Sequence, residues 1–281
     1  MDRLPLQHSI RDALGGRYHV RHEIGHGAMA TVFLAEAQRT GDTVAVKVLH
    51  PELAAAVGPE RFHREIEILT RLRHPRIVPV LDSDEAGGLL FLVMPHVAGE
   101  NLRSRLEREG QLPTSVALAI AGDVGAAIDY AHGQNVIHRD IKPENILLAG
   151  ERALVCDFGL ARAIDRAAVE PVSSSGLVLG TPAYMSPEQA MGHESLGPAC
   201  DVYALGCVVY EMLTGELPFT GPTPQALIAR QLTEPPRPMR TVRPDLAAPI
   251  EAAVLAALAK DPSRRPRSGA DFLSRMTRGS R

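Results

Sequence analysis

The densest run of chemically capable side chains is His138-Arg139-Asp140-Ile141-Lys142-Pro143-Glu144-Asn145, followed downstream by Asp157-Phe158-Gly159. Moving a phosphoryl group asks little covalent chemistry of a protein. It needs a carboxylate at the attacking hydroxyl, positive charge against the phosphates and oxygen ligands for Mg²⁺. Asp140 can supply the first, Lys142 and Lys47 the second, and Asn145 and Asp157 the third. The apolar runs Ile146-Leu147-Leu148 and Leu154-Val155-Cys156 predict a short hairpin turning near Gly150, which would set Asn145 and Asp157 side by side as a shared metal requires.

Three weaker signals lie upstream. In Ile24-Gly25-His26-Gly27-Ala28-Met29-Ala30-Thr31-Val32, the two glycines let a backbone turn sharply and bring N–H groups close to phosphate oxygens. An ordinary hairpin turn has the same text, and Ala30 stands where a third glycine would be. The segment lies between two strand-like stretches, which disfavours a strand-to-helix dinucleotide site. In Val44-Ala45-Val46-Lys47, alternation puts Lys47 on the face of Ala45, where it needs a counter-charge; a strand-end lysine in water is the alternative. A helix over residues 59–73 offers the partner. Its apolar stripe is Phe62, Ile66, Leu69 and Leu72; Glu65 borders that stripe and Glu67 faces water. An inward glutamate is costly unless paired, and Lys47 is the natural cation, with a solvated helix edge as the alternative.

The elements that must position these residues divide the chain in two. Strand-like segments at 19–24, 31–37, 43–49 and 89–94 fill the first part, with a turn at Gly41-Asp42. After Pro95 the spacing predicts helices over 102–109, 114–133, 198–214 and 247–260. The fold class expected is α+β, a small β-rich lobe with one key helix before a larger, mainly helical one. The boundaries expected are an extension at 1–16, a small lobe at 17–94, a hinge at 95–99, a large lobe at 100–275 and a basic tail at 276–281.

Composition narrows the class. The 281 residues are 45% hydrophobic and 22% charged, with net charge −3, which suits a globular domain and no nucleic-acid surface. Cys156, Cys200 and Cys207 show neither metal spacing nor a disulfide framework, as expected of buried thiols in a reducing cytoplasm. The opening residues lack the apolar run of a secretory leader, and no stretch reaches the roughly 20 apolar residues of a membrane span. A membrane location is expected only if a longer chain carries an anchor.

Over about residues 17–275, with its motifs in order, the sequence resembles the catalytic domain of the eukaryotic-like (Hanks-type) serine/threonine protein kinases of bacteria. The resemblance implies a bilobal kinase-like fold, ATP as phosphoryl donor, Mg²⁺ (or Mn²⁺) as metal, and protein serine and threonine hydroxyls as acceptors. It implies that Gly25 to Val32 covers the phosphates, that Lys47 meets them while paired with Glu65, that Asp140 is the base, and that Asn145 and Asp157 hold the metal. Ile24, Val32, Ala45 and Leu147 would sandwich the adenine, with Met94 as gatekeeper and Pro95 and Val97 offering backbone groups to its edge. Pro95 keeps its carbonyl and lacks an N–H.

Lys142, and Thr181 in Gly180-Thr181-Pro182, favour serine and threonine over tyrosine as acceptors. The same resemblance implies that Glu188 of Ser186-Pro187-Glu188 pairs with Arg265, and that Asp201 braces the catalytic loop. Arg139 would bind a phosphate on a loop carrying Ser173, Ser174 and Ser175, making autophosphorylation, in trans within a homodimer, the expected switch. Two other readings stay open: a nucleotide-binding scaffold without turnover, which the intact Lys47, Asp140, Asn145 and Asp157 oppose, and a small-molecule phosphotransferase of this fold, which Ser186-Pro187-Glu188 opposes.

Overall fold

The computed structural model describes residues 10–158, 182–193 and 195–278, which form two compact units. One comprises residues 10–73 and 78–98; the other comprises 74–77, 99–158 and the described residues from 182 onward.

The first unit is a five-stranded antiparallel sheet in the order β1-β2-β3-β5-β4. Its strands are β1 (Tyr18–His26), β2 (Ala30–Ala37), β3 (Thr43–Leu49), β4 (Asp82–Ala86) and β5 (Leu89–Pro95). Strand alternation sorts its residues onto two faces. Val20, Phe33, Ala35, Val44, Val46, Val48, Leu89, Phe91 and Val93 pack in one cluster together with Ile10 and Leu14. Residues 10–14 are helical, so the stretch expected as an extension at 1–16 joins the core from residue 10. The opposite face carries Gly25, Val32, Ala45, Lys47 and Met94, which the register places side by side: Gly25 opposite Val32, Val32 opposite Lys47, and Ala45 opposite Met94.

The helix expected at 59–73 is α2 (Pro59–Leu69), which starts where expected and ends four residues earlier; a second helix, α1 (Pro51–Val57), precedes it and has no counterpart in the sequence reading. Gly58, at φ +73°, breaks them apart, and Pro59 starts the second, where its missing N–H is not needed. The apolar stripe is as expected, since Phe62, Ile66, Leu69 and Leu72 are all buried.

The second unit contains β6 (Glu100–Asn101), β7 (Ile146–Ala149) and β8 (Arg152–Val155) as a small antiparallel sheet. Its helices are α3 (Leu102–Glu109), α4 (Thr114–Gly133), α5 (Pro187–Ala190), α6 (Ala199–Thr214), α7 (Pro224–Thr233), α8 (Ala248–Ala257) and α9 (Gly269–Thr277). The ends of α3 and α4 match the spacing read from sequence. Helix α8 ends at Ala257, short of the expected Lys260, and the carbonyls of Ala259 and Lys260 beyond its end accept from Arg265 Nε and Nη2 at 2.8 and 3.2 Å. Helices α7 and α9 were not anticipated. Helix α6 is buried from Cys200 to Thr214, so its polar residues must find partners inside the protein. Helices α4 and α9 meet at glycines: a Cβ on Gly269 would lie 2.4 Å from Gly125 Cα. Asp129 fixes that contact by accepting from the backbone N–H groups of Gly269 and Ala270 at 2.7 and 2.9 Å. Among the described residues no helix is long and apolar enough to cross a membrane.

Candidate active site

In the second unit, the β7–β8 hairpin sets Ile146 opposite Val155, and Cys156 N–H donates to Asn145 O at 3.0 Å. Gly150 turns the hairpin at φ +63°. Asn145 and Asp157 therefore leave adjacent strands at the same end. The turn Pro143–Asn145 packs Asn145 inward, where its Nδ2 donates to Asp140 O at 2.8 Å and to Asp140 Oδ2 at 3.1 Å. With the amide nitrogen so engaged, the side chain's oxygen is the end left for a ligand. Lys142 Nζ donates to the same Asp140 Oδ2 at 2.7 Å. Asp140 Oδ2 thus carries two donors, which fix the orientation of the carboxylate.

Two residues of this segment adopt left-handed backbone, Arg139 at φ +71° and Asp157 at φ +66°. Such conformations cost about 1–3 kcal/mol each and persist only where surroundings impose them. At Arg139 the imposing group is Asp201 on α6. Its Oδ1 accepts from Arg139 N–H at 2.8 Å, and its Oδ2 accepts from His138 N–H at 2.9 Å and lies 2.7 Å from His132 Nε2. Burial works to raise the Asp201 pKa, yet the His132 hydrogen bond and the surrounding donors outweigh it and hold the carboxyl below its ordinary range.

The buried His138 ring ties the two motifs together. Its Nδ1 accepts from Asp140 N–H at 3.2 Å while its Nε2 donates to Cys156 O at 2.8 Å, which fixes the tautomer. Phe158 packs edge-on against it, with ring centroids 4.5 Å apart. On the far side, Gln189 Nε2 of α5 donates to Arg139 O at 2.8 Å. Glu188 makes two bonds to Arg265, at 2.7 and 2.8 Å, in a fully buried pair that joins α5 to the segment after α8.

Spacing gave no warning of a further cluster. Arg103 on α3 bonds Glu144 at 3.0 Å and Glu211 at 2.7 Å, and it also contacts Tyr184 Oη. This ties the catalytic segment to α6. The signal that could have found it is Glu211 itself, a carboxylate in an otherwise apolar helix that needs a cation.

In the first unit, Lys47 lies on β3 beside Val32 and Ala45, on the face that also carries Met94. Glu65 is buried on α2. The glycine segment is a hairpin turn closed by Gly27 N–H to Ala30 O at 2.9 Å, with His26 ending β1 and Ala28 and Met29 at the tip. The sharp-turn rationale for its glycines does not hold: neither Gly25 nor Gly27 is among the positive-φ residues, and a Cβ at either would make only ordinary contacts at 3.7 Å. The local fold does not demand them, so what they provide is a backbone free of side chains where a ligand can approach. Ile24 falls in a bulge of β1 and is exposed. Pro95 ends β5, His96 N–H donates to Thr43 O at 3.3 Å, and Val97 follows. Leu147, on β7 opposite Leu154, belongs to the second unit. Gly159, Ser173, Ser174, Ser175 and Thr181 lie outside the described residues.

The donor set suits a hard cation. Asn145 and Asp157 offer oxygens, and Mg²⁺ is commonly held by one or two protein oxygens with phosphates and water completing the shell. Among the described residues no group of three or more His, Cys, Asp or Glu is placed to hold a metal alone, as that mode of binding requires none.

Comparison with known proteins gives these features a context. The protein kinase domain family matches residues 18–277. The chain is 40% identical over 273 residues to the serine/threonine-protein kinase PknB of Mycobacterium tuberculosis, covering 94% of this chain and 43% of that protein. It is 38% identical over 262 residues to the serine/threonine-protein kinase pkn2 of Myxococcus xanthus, covering 91% of this chain and 31% of that one. The chain thus spans less than half of either relative. A crystal structure of Rad53 residues 1–466 in complex with AMP-PNP superposes with TM-score 0.77 at 27% identity, over 96% of this chain and 67% of the other. The α+β architecture is that of protein kinases, and the chain belongs to the protein kinase domain family, among relatives of the serine/threonine type.

Proposed function

We propose that the chain transfers the γ-phosphoryl group of Mg-ATP to serine and threonine hydroxyls of proteins. The observation that carries this is the Asp140–Lys142–Asn145 constellation, one carboxylate oxygen held by two donors at 2.7 and 3.1 Å. Those two bonds are on Oδ2, which leaves Oδ1 to accept the proton of an acceptor hydroxyl as it attacks. Lys142 Nζ, beside that carboxylate, places positive charge against the group in flight. Asn145 and Asp157 would hold Mg²⁺, which when bound neutralises charge building on the phosphates. Lys47, with Glu65 as its counter-ion, would meet the α- and β-phosphates. The turn from Gly25 to Val32 would lie over them, its backbone at the glycines bare of side chains. Ile24, Val32, Ala45 and Leu147 would enclose the adenine, with Met94 behind it and Pro95 and Val97 at its edge.

On this reading the domain works in the cytoplasm, bound to a membrane only through an anchor elsewhere in a longer chain. Its partners are proteins rather than nucleic acids. Arg139 would receive a phosphate placed on Ser173, Ser174 or Ser175 by a second copy of the chain, with Thr181 bonding the base aspartate. Incubation with radiolabelled ATP, Mg²⁺ and a generic basic protein tests the proposal. Label should appear on serine and threonine and vanish in Asp140→Asn and Lys47→Met. Labelling that persists in both variants refutes the mechanism, and nucleotide binding without transfer by the wild type would make the chain a scaffold.

A further inference from the structure

We propose that His50 is a positioning residue that holds the glycine-bearing turn in the form in which it receives ATP. This rests on the functional reading above and adds to it a residue that lies outside the turn. His50 directly follows β3 and is the residue from which α1 starts, where its carbonyl accepts from Ala54 N–H at 2.9 Å. It is therefore fixed by two regular elements at once. From there it reaches the turn by two routes. Its backbone N–H donates to Met29 O at 3.0 Å, and its Nε2 lies 3.4 Å from Thr31 Oγ1.

Thr31 is the centre of the arrangement. It is 1% exposed, and its hydroxyl also lies 3.1 Å from His26 Nδ1. The two imidazoles sit 5.3 Å apart with 34° between their planes, and Glu23 Oε1 lies 4.0 Å from His26 Nδ1. A threonine hydroxyl has one proton to give and lone pairs to receive. It can therefore link a fixed histidine on one side to a histidine within the turn on the other. The turn's own closure is one bond, Gly27 N–H to Ala30 O at 2.9 Å, with two side-chain-free residues in its backbone. A turn with few ties opens more readily than one with many, and any open form lowers apparent affinity by the fraction of time it is occupied. The His50–Thr31–His26 chain restrains it from outside.

The test uses His50→Ala and Thr31→Val, which cut the chain at two points, and His50→Gln, whose amide reaches as far and can bond the same hydroxyl. The first readout is amide hydrogen exchange across residues 25–31 in nucleotide-free protein. The second is affinity for a non-hydrolysable ATP analogue, with KM for ATP and kcat. His50→Ala and Thr31→Val should each speed exchange in the turn and raise Kd and KM about three- to tenfold, as expected for losing a net hydrogen bond or two. The effect on kcat should be the smaller one, and His50→Gln should recover most of the loss. Should His50→Ala fail to fold, Thr31→Val decides alone. Unchanged exchange, or faster exchange with unchanged Kd, overturns the proposal; so does equal loss in the Gln and Ala variants. A wild-type protein that binds no nucleotide overturns the kinase reading instead, and the exchange arm still decides whether His50 holds the turn.

Discussion

Replacing Asp201 with asparagine tests whether the catalytic loop is held in place by a carboxylate on another element. Three nitrogen donors converge on this 1%-exposed side chain, His138 N–H and Arg139 N–H at 2.9 and 2.8 Å and His132 Nε2 at 2.7 Å, with the weaker Cys200 Sγ at 3.8 Å. Asparagine has one acceptor oxygen, and its NH₂ must face a donor whichever way it is turned. The better orientation keeps His138 and His132 on the oxygen and sets NH₂ against Arg139 N–H. One buried N–H left unpaired costs about 1–3 kcal/mol, and the surviving bonds lose their charge assistance. The expected loss of stability is about 2–4 kcal/mol, which a domain of ordinary stability survives.

The larger effect should fall on turnover. Arg139 holds φ +71° against strain, and the lost bond is the one that pins its N–H. Relaxation there moves the adjacent Asp140, and a displacement of ~1 Å at a reacting group can cost about 100-fold. Urea denaturation with steady-state phosphorylation kinetics would measure both effects. We expect kcat to fall by about 30- to 100-fold while KM for ATP changes by less than about threefold. A variant within ~1 kcal/mol of wild type and within about threefold in kcat would refute the reasoning. Lost stability with full kcat would show that Asp201 serves the fold alone.

Arg265→Met should destabilise by about 3–5 kcal/mol because it strands Glu188 in the interior, and Glu188→Leu in the same chain should recover much of that, both read from denaturant melts. Burial opposes ionisation of Glu188, but its bonds to Arg265 prevail and hold the carboxyl below its ordinary value of 4.5. Its contribution is therefore complete above that value and lost as pH falls through the lower folded one, so acid unfolding should be less steep in Arg265→Met than in wild type. Burial pushes Lys260 down from 10.5 to about 8, its Nζ having no hydrogen-bond partner and lying 4.0 Å from the centre of the Phe219 ring. Below that value the fold must carry a poorly solvated charge, so Lys260→Met should be more stable than wild type at pH 7, by about 1 kcal/mol after allowing for partial solvation. The gap should close toward pH 10, and thermal melts showing it widen would refute the assignment.

The sequence marked the residues proposed to react better than it marked what holds them. Asp140, Lys142 and Asn145 are close neighbours in the chain and Asp157 follows one hairpin later, so local text alone could place them. Lys47 and Glu65 were legible because alternation and helical periodicity each assign a face. His132, Gln189, Arg103 and His50 were not, because each acts across a long separation through a single side chain that no period marks. Helix α8 ends three residues before the expected Lys260, and the carbonyls beyond it bond Arg265, a long-range partner that local spacing does not mark. The start of α2 was legible because Gly58-Pro59 marks it, whereas the short α1 before it carries too few turns for its spacing to announce a helix.

The meeting of Gly125 with Gly269 has a consequence for how this sequence can change. A methyl group on Gly269 would overlap Gly125 Cα at 2.4 Å, whereas one on Gly125 would press against Gly269 backbone at 3.2 Å. The obstacle in each case is main chain, which cannot rotate away as a side chain would. Neither position offers a first step for substitution, since enlarging one does not make room for the other, and the Asp129 bonds keep the helices from sliding apart. Drift at this crossing is blocked in both directions, and only a coordinated shift of the α9 helix start, its cap and both glycines would open a path.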